Sequence, residues 1–464
     1  MRPAIRGLAA RAGRVSLASD PAKAGGEDLI ADIAASTSRA ASRPVRDDLR
    51  TLFDTAVHAV SAEVAMPRTL PISAHGRTVV IAVGKAAAAM MRVAQARAAR
   101  PLEGLIVTRY GHLPPQGTAG PGVEVIEAGH PYPDERSVTA AAQVLDMARG
   151  LDAGDRLLLL LSGGGSALLA APAPGLTLDD KQGVTRALLQ SGATIAEINC
   201  VRKHLSAIKG GRLAVAAGPA QVTTWIISDV PGDDPSYVSS GPTVADTTSL
   251  AEAREIIAEY GVQVSPQVAA ALANPANETP EADTLGLAGV ETRVIARARD
   301  GLVAAGAKAA ELGYQVMDLG DQLQAEARHL GASHAALARR LAKDGRPRAI
   351  LSGGETTVTV TNKSGRGGRN LEYLLGLAIA LDGAPGISAL ACDTDGIDGT
   401  EDAAGAIVTP DTIARAKAAG LDPQRHLDRN DAYLFFEELD DLVVTGPTLT
   451  NVNDFRAILI GSDE

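Results

Sequence analysis

Several short stretches of this chain carry residue types suited to binding or moving an anionic group. Ser352-Gly-Gly-Glu355 opens a Thr/Val-rich run that ends in Gly365-Arg-Gly-Gly-Arg369-Asn370. Bare backbone N–H groups beside two guanidinium groups are what a phosphate or carboxylate needs. Lys85 stands after an apolar run and at the start of an Ala-rich one. A lysine in the first turn of a helix opposes the helix dipole, and a bound anion would reverse that penalty; the alternative is a solvated lysine at a strand end. Ser162-Gly163-Gly164-Gly165-Ser166 follows the most apolar run in the chain, where glycines either let an anion approach the amides or simply turn the chain. Two other readings fail on spacing. A P-loop needs glycine where Val79 stands, and a nucleophile elbow around Ser166 needs glycine where Leu168 stands.

Between residues 195 and 213, Ile198, Val201, Leu205 and Ile208 form an apolar stripe at helical spacing. Asn199, Arg202, Ser206 and Lys209 form a polar stripe beside it. That pattern fits the wall of an anion-binding cleft or a solvated face. Asp229 falls at the end of a strand, a place where carboxylates serve as bases or ligands in α/β sheets. Asp393, Asp395 and Asp398 repeat that placement further on and suit Mg²⁺ and its waters, or a solvated Asp-Gly turn. They do not make an EF-hand loop, whose last acid would fall on Ala404. His130, in Gly129-His-Pro-Tyr-Pro, is either a base or the brace of a turn.

The elements that must position these groups alternate. Strands are expected at 78–83, 104–108, 123–126, 156–162 and 222–228, with helices at 86–98 and 135–149. A Pro- and Asn-rich stretch from 264 to 289 reads as a domain boundary. Beyond it come strands at 292–296, 314–319, 349–352, 356–361 and 387–392, with helices at 300–312, 322–342, 369–381 and 411–419. Strands alternating with helices define an α/β fold with right-handed crossovers. Domains are expected at 46–285 and 286–464, after a disordered extension over 1–45.

The chain has 464 residues, 45 % of them hydrophobic but only 3 % aromatic, so the core must be built from Ala, Leu, Val and Ile. A net charge of −11 argues against nonspecific nucleic-acid or anionic-membrane binding. Cys200 and Cys392 have no metal spacing and fit a reducing compartment. No apolar run reaches transmembrane length. A cytoplasmic protein is expected, with import directed by Arg2, Arg6, Arg11 and Arg14 as the lesser alternative. The assembly state is open, with a homodimer as one expectation.

Taken together these segments resemble the class II glycerate 2-kinases with a C-terminal MOFRL domain. The resemblance runs in family order through Val83-Gly-Lys-Ala86, Gly129-His-Pro131, Ser162–Ala167, Val201–Ser206, Lys209–Ala214, Ser228–Pro235, Ser240-Gly-Pro-Thr243, Ser352–Val360, Gly365–Asn370, Thr394–Gly399 and Asn451-Val-Asn-Asp454. It covers roughly residues 46 to 464. It departs at Leu371, where the family has glutamine and where a ligand contact would change, and at Leu449, where it has glycine. The resemblance implies a Rossmann-like N-terminal domain, a MOFRL domain and an active site in the cleft between them. It implies ATP-dependent phosphorylation of D-glycerate at its 2-hydroxyl with Mg²⁺, and it places the family's functional lysine on Lys85 and arginine on Arg369. Asp229 is then expected as base or Mg²⁺ ligand, with Asp393, Asp395 and Asp398 as further metal candidates. Ser162, Gly163, Gly164, Gly165, Ser166, Asn199, Arg202, Lys209, Glu355 and Asn370 are expected around substrate or nucleotide. Relatives labelled hydroxypyruvate reductases make an NAD(P)H-dependent reductase the rival reading, against which stands the absence of a full dinucleotide fingerprint after the first strand.

Overall fold

The computed structural model describes residues 44–113 and 120–461; the Arg-rich segment 1–43 lies outside the described residues. Six strands make the first sheet: β1 (Thr78–Val83), β2 (Glu103–Arg109), β3 (Val123–Ala128), β4 (Arg156–Leu161), β5 (Gln221–Ile227) and β6 (Glu291–Ala296). All are parallel, in the order β3-β2-β1-β4-β5-β6. The central strands are apolar at almost every position because both faces are covered. Leu157, Leu159 and Leu161 of β4 pack under the Glu135–Arg149 helix, and Leu158 and Leu160 pack under the Ala87–Arg97 helix. The strand order reverses between β1 and β4, so the chain leaves their carboxyl ends toward opposite faces and opens a crevice there. Lys85, the Ser162 loop and Asp229 follow β1, β4 and β5 and stand along that crevice.

The second sheet contains β7 (Gln315–Asp318), β8 (Arg348–Ser352), β9 (Ile387–Asp393), β10 (Gly405–Val408), β11 (Leu442–Val443) and β12 (Asp454–Ile460), in the order β11-β10-β9-β12-β8-β7. It is mixed, with only β7 and β8 parallel. Antiparallel β12 lies between β8 and β9, which sets Asp454 directly across from Asp393 and Arg456 across from Ser352. Sequence reading missed β12, although Ala457–Ile460 is a plain apolar run.

Several expectations change. The strand at 292–296, read as the start of the second half, is the edge strand of the first sheet. The Val45–Ala59 helix, first among the described residues, covers the second sheet beside the Ala298–Glu311 helix, burying Leu49, Leu52 and Phe53 there. The segment 356–361 is extended but pairs with no strand. It forms only isolated bridges, and its backbone bonds instead to Glu326 and Asn430 side chains. The helix expected from 322 begins at Ala327. The 195–213 helix stops at His204, because Ser206 turns its hydroxyl onto the Ile208 and Lys209 amides and competes with the helical bonds.

Leu371 is fully buried in the core under the second sheet, so it offers no side chain to a ligand. Leu449 takes a left-handed backbone, φ 60, that glycine adopts freely. Its side chain packs against the first-sheet core. Leu449→Gly is therefore expected to trade packing for relief of strain, and Leu449→Ala to lose packing while keeping the strain. Urea denaturation should find the glycine variant more stable than the alanine one by about 1 kcal/mol.

Candidate active site

The turn after β1 is built on Gly84, whose φ of 115 admits glycine and whose missing Cβ would meet Ser162 Oγ at 2.3 Å. Ser162 is fully buried and its hydroxyl accepts the Ala86 amide at 2.9 Å, while the Lys85 amide donates to Gly163 O at 3.0 Å. Ser162 thus ties β4 to the Lys85 turn and does not face a ligand, contrary to expectation. The glycines behind it serve close approach. A Cβ on Gly163 would lie 1.9 Å from Asp229 Oδ2, and Gly164 and Gly165 lie against His130 and Ser239.

This turn aims Lys85 across the crevice, where its ammonium pairs with buried Asp395 at the end of β9. Burial works against the charge on Lys85, but Asp395, Asp393 and Asp229 outweigh it and raise its pKa. Asp395 stays ionised: burial pushes it up, and Lys85 and its hydrogen bonds pull it further down. Asp393 is pushed up by burial and by Asp395. The halves of the chain therefore already touch at this point.

Arg369 opens the Arg369–Leu381 helix and is the hub of the second-sheet side. Its Nε donates to Asp454 at 2.7 Å, Nη2 to Asp393 at 3.0 Å, and Nη1 to Glu355. Asp454 itself is pinned by Arg456, a fully buried arginine that also reaches Gly353 O at 2.9 Å and lies over the Tyr373 ring. Asp229 is held by Asn451, whose Nδ2 donates to Oδ2 at 2.9 Å, and by Asn453, which donates to its carbonyl. Burial is the main influence on Asp229 and raises its pKa to about 6, with Lys85 opposing. His130 is driven down to about 3 by burial and by Lys85 and Arg109, so it stands neutral.

Two cavities open here and share His130, Pro131, Asp229, Glu355 and Thr356. One, of about 680 Å³, reaches Lys85, Arg109, Arg369, Asp393 and Asp395. The other, of about 730 Å³, reaches Gly164, Ser166, Asn199, Arg202 and Ser239. Asp229 stands where they meet.

Not every expected residue lies in this cleft. Asn370 is buried and spends its amide on Asp454 and Asp398. Asp398 is fully buried and accepts the Asn370 and Leu371 amides at 3.1 and 2.9 Å, holding the helix start. Burial raises it to about 6. Lys209 is buried behind the wall, its ammonium on the Ser166 and Ser239 carbonyls. Among the described residues no three His, Cys, Asp or Glu side chains gather as a metal cage. Sequence reading passed over Arg109, and it quoted Asn451-Val-Asn-Asp454 as a family segment without giving Asn451, Asn453 or Asp454 a role. The alternation Asn-x-Asn-Asp was the available signal, and it became meaningful once β12 was seen to start at Asp454.

Two sheets joined along a charged cleft at their strand ends define an α/β protein with a Rossmann-ordered first half. Residues 48–273 match the family described as a domain of unknown function, DUF4147, and residues 348–454 match the MOFRL family. The chain is 39 % identical to the D-glycerate 2-kinase of Thermotoga maritima, over 87 % of this chain and 95 % of that one. It is 52 % identical to an Agrobacterium vitis protein provisionally named a hydroxypyruvate reductase, over 90 % of this chain and 94 % of that one. The crystal structure of the Thermotoga maritima glycerate kinase superposes with a TM-score of 0.80 at 38 % identity, covering 90 % of this chain and 99 % of that one. The chain belongs to the family that joins a DUF4147 domain to a MOFRL domain, the family of these glycerate kinases.

Proposed function

We propose that this protein is an ATP-dependent kinase that phosphorylates D-glycerate on its 2-hydroxyl, giving 2-phosphoglycerate and ADP. The observation that carries the reading is that Lys85, Arg369 and Asp229 line one cavity, with Asp229 standing where it meets a second, in a chain this similar to a D-glycerate 2-kinase. Phosphoryl transfer asks for alignment and charge neutralisation more than for covalent chemistry. Asp229 accepts the 2-hydroxyl proton, the hydroxyl oxygen forms a bond to the γ-phosphorus, and the bond from that phosphorus to the β–γ bridging oxygen breaks to release ADP. Lys85 and Arg369 face the phosphoryl group and the acceptor's carboxylate. A carboxylate near pKa 6 suits a general base better than His130, whose pKa lies near 3.

Mg²⁺ takes one or two carboxylates together with substrate phosphates. With Asp229 as the base, Asp393 on the same cleft wall fits that demand, whereas Asp398 is spent on the helix start. Bound there, the ion would neutralise charge on the phosphates.

The test is product identification. With ATP and D-glycerate, coupling to enolase should give signal, since enolase accepts 2-phosphoglycerate and not 3-phosphoglycerate. No D-glycerate-dependent ATP consumption would remove the reading. The name of the Agrobacterium vitis relative favours a reductase. NADH oxidation with hydroxypyruvate, followed by nicotinamide absorbance, decides between the two. The turn after β1 reads Gly84-Lys-Ala-Ala-Ala88 and carries no dinucleotide glycine pattern.

Asp229→Asn keeps shape and the Asn451 bond but cannot take a proton. It is expected to lower kcat by roughly 10²-fold and to remove the rise of kcat/KM with pH through about 6. The sign for stability is opposite. A carboxyl raised in the folded state stabilises while protonated, and that contribution is lost as pH climbs through about 6. At pH 8, without ligands, the variant should melt at a higher temperature than wild type.

A further inference from the structure

Thr108-Arg109-Tyr110-Gly111-His112 leaves the carboxyl end of β2, beside the Lys85 turn at the end of β1. Arg109 is half-buried and lines the cavity that holds Lys85, Asp229 and Arg369. Among the described residues its guanidinium has no hydrogen-bond or ion-pair partner. The other charges on that wall are engaged or exposed. Lys85 pairs with Asp395, Arg369 with Asp393, Asp454 and Glu355, and Glu372 with Arg328, while Asp229 accepts from Asn451. Lys363 is exposed. His112 is driven down to about 4 by burial and by Arg109, so it stands neutral like His130. Thr108 Oγ1 and both ring nitrogens of His112 are buried without a hydrogen-bond partner among the described residues. Orphaned polar atoms cost free energy. Three of them in the same five-residue segment as a free guanidinium mark a place where the chain alone does not complete the bonding.

Resting on the kinase reading, we propose that Arg109 binds the carboxylate of D-glycerate and so selects an acid over a neutral acceptor, with His130 on the acceptor's hydroxyls. The carboxylate is bonded to the carbon that carries the 2-hydroxyl. With Asp229 as the base for that hydroxyl, the cation that takes the carboxylate must share a wall with Asp229, as Arg109 and His130 do. Charge count chooses the acceptor over the nucleotide. One guanidinium beside neutral imidazoles matches one carboxylate, while a phosphate chain brings several negative charges. A neutral imidazole offers one N–H and one lone pair, which suits a hydroxyl. An anion at Lys85 or Arg369 shares its cation with a carboxylate already there, and at Arg109 it does not. Lys85 and Arg369 then act on the transferring phosphoryl group.

Arg109→Gln tests this. The KM for D-glycerate should rise roughly 30-fold or more, as when one side of a charged hydrogen-bonded pair is truncated. The KM for ATP should stay within about twofold of wild type. D-Glyceramide, in which a neutral amide replaces the carboxylate, should compete with D-glycerate equally well in variant and wild type. Removing a side chain that bonds to nothing in the described chain should leave the thermal melt unchanged. Should the glutamine variant fail to fold, Arg109→Lys keeps the charge, loses the fork and carries the same comparison with a smaller rise. An unchanged KM for D-glycerate would overturn the assignment, as would a raised KM for ATP or an equal loss of acid and amide. Calorimetric titration of D-glycerate in the presence of ADP reads the same difference without turnover. A wild type that binds D-glycerate more tightly than the variant but transfers no phosphate keeps Arg109 in its role and removes the kinase reading. Turnover with equal D-glycerate affinity in both removes Arg109 alone.

Discussion

Replacing Arg369 by alanine is expected to lower turnover by roughly 10³-fold or more, the scale on which an arginine that stabilises a phosphoryl transition state acts. The same change should destabilise the protein by about 3–5 kcal/mol, because it strips a cation from three carboxylates at once. Asp454 and Asp393 are buried and cannot turn to water, while Glu355 is half-exposed and can. The damage therefore falls on the first two, which face each other across β9 and β12. Arg369→Lys keeps the charge but cannot reach three partners in a plane, so it should recover part of the stability and little of the activity. Enolase-coupled kcat and urea denaturation measure the two effects separately. A folded alanine variant with near wild-type turnover would take Arg369 out of the mechanism.

The second large effect belongs to Lys85. Lys85→Met keeps the length and apolar stem of the side chain and removes the charge, and turnover should fall roughly 10³-fold. Stability should change with pH in a defined sense. Lys85 is what holds the buried Asp395 ionised against burial. Without it the Asp395 pKa rises, so the unpaired carboxylate costs most above that pKa and the cost fades as the pH falls and the group takes up a proton. The variant should thus lie furthest below wild type near pH 8 and approach it near pH 5, in thermal melts at both. A stability difference independent of pH would mean that Asp395 does not depend on Lys85.

Much of the first sheet was legible because its strands are buried on both faces. Val79–Val83 and Leu157–Leu161 are unbroken apolar runs, and each is followed within two residues by glycine where the chain turns. The second sheet was harder. One of its central strands, Asp454–Ile460, begins with an acid and carries a buried arginine, so only its last four residues read as a strand until the partners of Asp454 and Arg456 are seen. The Thr356–Thr361 run alternates like a strand, yet the strand positions beside β8 are taken by β7 and β12. The polar stripe 199–209 was right in composition but not in geometry. Asn199 and Arg202 stand on the cleft, while Lys209 reaches its place behind the wall from a turn.

The residue types of the site were determined by sequence alone. Lysine after β1, arginine at the head of a helix and aspartate at strand ends are local features, set by where apolar runs stop and by which side chains follow. Family membership belongs there too, since it rests on the order of such segments along the chain. The pairing of these groups was decided only in the tertiary structure. Lys85 meets Asp395 across 310 positions of sequence and Asn451 meets Asp229 across 222. No local pattern encodes such distances; they follow from how two sheets pack along their strand ends. The same packing brings carboxylates onto Lys85 and Arg369 and leaves Arg202 without a hydrogen-bond or ion-pair partner among the described residues, because pairing is a property of neighbours in space.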